Sequence, residues 1–127
     1  MGYESKLYVV QKYDTKYTDC GKERYYADII ATFKLSKVGG YNLFKSYPAT
    51  DCYIYADDGN TQIIKDEYGD PLTEIPIPDV IKIIEGEMKK ELEYGLTPYR
   101  RWQPCLSLLK GFNLAEWKNL VVLHYGY

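Results

Sequence analysis

Apolar and polar positions alternate along residues 3–13, with Leu7 and Val9 on one side and Tyr8 and Val10 on the other. This pattern predicts a first strand covered on both faces near its centre. Residues 14–24 (DTKYTDCGKER) are polar and hold a glycine, which predicts a turn or flexible loop. Alternation resumes over 25–37, where Tyr25, Ala27, Ile29, Ala31, Phe33 and Leu35 share a face and Asp28, Thr32, Lys34 and Ser36 break up the other. A loop of that length lets the two strands pair antiparallel. Gly39-Gly40 interrupts the pattern, and Tyr41, Leu43, Phe44 and Tyr47 fit a short helical turn or two before Pro48. Next, residues 51–56 and 61–65 flank Asp57-Asp58-Gly59-Asn60. Asp-Gly between two β-rich runs predicts a hairpin, because glycine accepts the positive φ of a tight turn. An acidic turn over 66–71 ends it.

A helix is predicted over 78–94. Ile77, Val80, Ile81, Ile84, Met88 and Leu92 recur at helical spacing, while Lys82, Glu85, Glu87, Lys89, Lys90 and Glu93 take the wet side. Pro78 and Asp79 suit its first turn and Gly95 its C-terminal cap. Gly86 in the interior either weakens the helix, by about 1 kcal/mol relative to alanine, or marks a close approach. A second helix is predicted from near Pro104 to Gly111, carrying Leu106, Leu108 and Leu109. Asn113 and Glu116 resemble a capping box, and 120–125 reads as an apolar final strand central in the sheet. The fold class expected is α+β: a mainly antiparallel sheet of about five strands with two α-helices on one face, as one domain over 1–127.

Composition changes this picture in one respect. The chain holds 15 tyrosines, more than a small core can absorb, so several are expected at the surface. Charge is also uneven. Residues 1–50 carry eight basic and five acidic side chains (+3), residues 51–98 four and twelve (−8), and residues 99–127 four and one (+3). Such a distribution gives a one-sided field if folding gathers the acidic part. Three cysteines without paired spacing argue against a disulfide framework and a zinc site. Without a signal peptide or a bilayer-length apolar run, the expected location is the cytoplasm, with no membrane partner.

Candidate chemistry is sparse. His124 is the lone histidine, so a Cys/His nucleophile pair would use Cys52 or Cys105, and neither lies in a local signature of such enzymes. The bland alternative is a strand histidine and core thiols. Asp57, Asp58, Asn60, Asp66, Glu67 and Asp70 offer hard oxygen ligands, but their spacing does not match a calcium loop, and solvated turns explain them equally well. No metal and no cofactor are expected. Tyr99-Arg100-Arg101-Trp102 is the one basic–aromatic cluster. It fits a stacked nucleotide, a protein-interface anchor, or a loop whose Trp102 enters the core while the arginines stay wet. Net acidity disfavours duplex nucleic acid.

The stretches MGYESKLYVVQK, YPATDCYIYADDGNTQI, YGDPLTEIP and NLVVLHYGY resemble a group of small accessory proteins of phages and prophages of Gram-positive bacteria. That resemblance carries no catalytic residue or ligand with it. It implies a setting: such proteins interfere with host defence, by docking on a defence protein or by sequestering a signalling nucleotide. The leading expectation is a non-catalytic inhibitor of a host defence protein such as a CRISPR nuclease. Glu87, Glu91 and Glu93 would steer it into a basic channel, and Tyr99, Arg100, Arg101 and Trp102 would supply contact area. The alternatives are a nucleotide-binding sponge using Arg100, Arg101 and Trp102, and an enzyme with an unrecognised site.

Overall fold

The computed structural model describes residues 4–19, 21–36 and 43–127. The Gly39-Gly40 break, Tyr41 and Cys20 lie outside them. Strand β1 (Ser5–Asp19) pairs antiparallel with β2 (Lys22–Leu35), from Ser5↔Leu35 out to Asp19↔Lys22. The predicted loop over 14–24 is therefore mostly strand, turning at Gly21 with φ 80°. Its composition reads as a loop because this end of the hairpin runs past the core and is wetted along most of its length. Backbone pairing needs no apolar side chains once both strands are nucleated by the buried end.

β3 (Cys52–Tyr55) joins the free edge of β2 in parallel, through Tyr25↔Cys52 and Tyr26↔Tyr53. It turns back into β4 (Gln62–Ile63) through the Asp-Gly hairpin, where Gly59 has φ 74°. Asp58 closes that turn by accepting the Asn60 and Thr61 N–H groups and the Thr61 hydroxyl. A sixth strand, β5 (Thr73–Ile75), is too short to show an alternating pattern. β6 (Leu120–Gly126) lies between β1 and β5, and the sheet order is β4-β3-β2-β1-β6-β5. All pairs except β2–β3 are antiparallel.

The sheet curls into a half-barrel, and its two ends are linked by a short stretch. Thr50 N–H donates to the Leu72 carbonyl and Glu74 N–H to that of Pro48, so 48–50 line the outer edge of β5. Two residues later the same chain enters β3, next to the edge strand β4 at the opposite end of the sheet. Tyr8, Val10, Ala27, Cys52, Ile54, Leu72 and Leu123 fill the inner side.

Helix α1 (Ile77–Glu93) and helix α2 (Trp102–Lys110) cover the other face over Leu7, Val9, Leu35, Ile75 and Val122. α2 begins two residues before Pro104, which still falls in the first turn, where its missing N–H leaves no bond unmade. Asn113 closes a turn by accepting the Ala115 N–H at its side chain. In α1 the apolar stripe is shorter than predicted. Ile77, Val80 and Ile84 are buried, but Leu92 is exposed and Glu91 takes the inward position.

Gly95 (φ 72°) ends α1 as expected, with Leu96 N–H reaching the Glu91 carbonyl. Gly86 marks no close approach, since a Cβ there would meet nothing within 4 Å. Gly86→Ala should therefore raise unfolding stability by about 0.5–1 kcal/mol, read from urea denaturation midpoints. An unchanged or lower midpoint would contradict a helix weakened only by glycine.

Candidate functional site

The residues that the sequence nominated for binding are divided by the fold. Glu91, only 8% exposed, accepts the Trp102 indole N–H at 2.7 Å and the Tyr99 backbone N–H at 2.8 Å. Trp102 is fully buried, with the Tyr99 ring edge-on to it at 5.3 Å. Tyr99 OH accepts the Ser36 N–H. These three groups do come together, but as an internal clasp between α1 and α2, and the indole has no open face for a base. Arg101 donates to the Lys34 carbonyl at 2.9 Å, tying the α2 entrance to the end of β2. Arg100 is exposed. Glu87 pairs with Lys90 at 3.3 Å, and Glu93 is exposed two residues beyond Glu91, on a different side of α1.

The acidic segment is also divided. Several of its carboxylates lie in turns at the rim of the curl, while Glu85, Glu87 and Glu93 lie on α1. Asp66 accepts the Tyr68 and Asp70 N–H groups, and Glu67 accepts the Tyr125 hydroxyl at 2.9 Å. Burial, then Glu67, raises the Tyr125 phenol; burial, then Asp57, raises Tyr8. Lys6 Nζ sits 5.3–5.8 Å from the ring centroids of Tyr8, Tyr125 and Tyr127, so this rim supplies its own cation.

Asp51, Cys52 and Glu74 bring their ligand atoms within 4.8 Å of one another. Lys12 Nζ already lies 3.1 Å from Glu74 there, and the Thr50 hydroxyl donates to the same carboxylate. Burial raises the Cys52 thiol, which keeps it protonated, and pushes Cys105 up to about 12. His124 bonds Ser5 Oγ through Nε2 at 2.8 Å and lines a cleft of about 230 Å³ with Lys45, Tyr47, Asp66, Asp70 and Thr73. The Ser5 hydroxyl has no access to solvent, so this pair cannot present a serine nucleophile to a substrate.

A surface that the sequence did not localise lies at the outer end of the β1–β2 hairpin. Tyr13 and Tyr17 on β1, Tyr26 on β2, and Tyr53 and Tyr55 on β3 form one continuous ring cluster. Tyr13 stacks on Tyr26 (5.6 Å), Tyr17 meets Tyr53 edge-on (5.9 Å), and Tyr26 touches both Tyr53 and Tyr55 (5.8 Å each). Parallel pairing of β3 with β2 sets Tyr53 beside Tyr26, and this brings together tyrosines far apart in the chain. Tyr53 is nearly buried, whereas Tyr13 and Tyr17 are each 43% exposed. Arg24, directly opposite Tyr17 in the ladder, joins this face. Its Nε is shut off from solvent without an acceptor among the described residues, a state that costs about 1–3 kcal/mol or more for a charged group. The only available sequence signal was the tyrosine excess.

No family model matches the chain, and neither a curated protein nor a solved structure matches it. Among the described residues no helix is long and apolar enough to cross a membrane.

Glu91→Ala should destabilise the fold by about 2–4 kcal/mol, because it strands two buried donors, and native tryptophan fluorescence should shift to the red. A loss below about 0.5 kcal/mol would remove the clasp from the stability account. Burial lowers the His124 imidazole from its ordinary 6.5 to about 4, so the unfolded chain binds the extra proton between those values. The associated stability is complete above pH 6.5 and falls as pH drops toward 4. Denaturation in urea should lose about 2 kcal/mol from this group between pH 7 and pH 5. His124→Asn should flatten that part of the profile, and identical slopes in both proteins would refute the assignment.

Proposed function

We propose that this protein is a non-catalytic phage accessory protein that binds and inhibits a host defence protein, in the manner of a CRISPR nuclease inhibitor. The observation that carries the binding half is the five-ring tyrosine cluster across β1, β2 and β3. It lies outside the sheet area that α1 and α2 cover, and it presents Tyr13 and Tyr17 to solvent. Tyrosine gives a large contact area with few rotatable bonds, and its hydroxyl is hydrogen-bonded in water and at an interface alike. The rings also brace one another, so little side-chain entropy remains to be lost on docking. The setting rests on the resemblance to phage and prophage proteins.

The steering role expected of the acidic segment is reduced to the exposed carboxylates of the turns and of α1. Glu91 is spent on the clasp. Contact area on the tyrosine face becomes the main determinant of affinity, and charge a determinant of association rate.

The test is inhibition of purified host defence nucleases, with complex formation followed by size-exclusion chromatography. Tyr13→Ala with Tyr17→Ala should weaken a complex by about a hundredfold or more while leaving the melting temperature within a few degrees. Retention of a nucleotide in equilibrium dialysis, with no protein complex across the nuclease panel, would replace this reading with a sponge.

A further inference from the structure

Resting on the reading of the tyrosine cluster as a docking face, we propose that Arg24 is its anchor and takes a carboxylate from an acidic, apolar-flanked segment of a partner protein. β2 alternates so that Arg24 and Tyr26 share a side, and the ladder sets Arg24 opposite Tyr17. Tyr17 and Tyr26 both touch the Tyr53 ring, so Arg24 leaves the sheet beside the phenol cluster. The Arg24 side chain, half-buried, makes no hydrogen bond or ion pair among the described residues, and its Nε is sealed from water without an acceptor there.

Two neighbouring lysines are already matched. Lys12 is paired with Glu74, and Lys16 is paired with Glu23 and lies over the Tyr25 ring on the other face. Asp28, the carboxylate on the same side of β2, accepts the Tyr26 hydroxyl instead. A planar fork of donors without an acceptor among the described residues, beside a cluster of phenol rings, complements one carboxylate.

The same observations weigh against a nucleic acid strand. A phosphate backbone requires several free cations in a row, and among the described residues this side of β2 offers only Arg24 and, at the hairpin tip opposite Asp19 in the ladder, Lys22. Stacked bases need open ring faces, whereas Tyr13 covers Tyr26 and the other contacts are tilted or edge-on. An isolated carboxylate set among apolar side chains meets both the guanidinium and the rings.

Dodecapeptides displayed on phage, panned in parallel on the wild-type protein and on Arg24→Gln, provide the test. Peptides selected on the wild type should carry Asp or Glu beside apolar residues. They should bind R24Q at least about tenfold more weakly and should shift the Arg24 Nε–H resonance. Arg24→Met, which removes the stranded donor, should melt no lower than wild type and should bind equally poorly, so a folding defect cannot imitate the result. Selected peptides without acidic residues, or binding indifferent to R24Q, overturn the anchor. Arginine-dependent retention of a twelve-residue oligothymidylate, or dimerisation abolished by R24Q, overturns it in favour of a nucleic acid or a second copy. Peptides lost with Tyr17→Ala but kept with R24Q sink the anchor and spare the docking face. Panning that yields nothing dependent on either residue sinks both.

Discussion

Strand β1 passes from an interior buried on both sides to a hairpin end wetted along most of its length, and the rest of the fold is arranged around that transition. From Leu7 to Val10 every side chain is covered, alternately by the helices and by the inside of the curl. Burial of this kind removes on the order of 25 cal/mol per Å² of apolar surface from water. It fixes register, since a slip by one residue would exchange the two faces. Beyond Lys12 the same ladder continues with little burial, held in the register that its inner half sets. The hairpin end is thus positioned by the core without belonging to it, and the tyrosine cluster stands there.

The second constraint is the link between the sheet's two ends. Residues 48–52 line β5 and then enter β3, so the curl and the placement of Tyr53 and Tyr55 follow from one short stretch of chain. The side chains there are hydrogen-bonded to match. Thr50 accepts the Cys52 N–H and donates to Glu74, and Glu74 holds Lys12. A cluster of Asp, Cys and Glu that looks chemically active is accounted for as the polar seam of this link. Its cation is supplied by the neighbouring strand.

Buried ionisable groups elsewhere have comparable structural roles. Glu91 joins the two helices through donors that would otherwise be stranded, and His124 is held neutral against Ser5 with the Phe44 ring 5.4 Å away. Against this background of satisfied interior groups the Arg24 Nε is an exception among the described residues. It lies beside the tyrosine surface at the hairpin end, which the helices leave uncovered, and the coincidence of the two gives that surface a direction as well as an area.

The sequence by itself determined the elements whose signals are local. The paired alternating strands, the Asp-Gly hairpin, the Pro-Asp start and Gly95 end of α1, and the apolar last strand follow from neighbours within a few residues. The extended hairpin over 14–24 escaped, because polar composition describes exposure and does not report backbone pairing with a distant strand. β5 escaped because three residues hold too little periodicity. Tertiary structure alone decided which carboxylate is internal and where the tyrosines meet. Glu91 has the spacing of a helix-face residue and the chemistry of a wet one, and only Trp102 and Tyr99, folded back across it, make its burial favourable. The tyrosine surplus was legible as a number. Its concentration at one place depends on β3 adding in parallel to β2, a pairing between segments some 27 residues apart that no local pattern encodes.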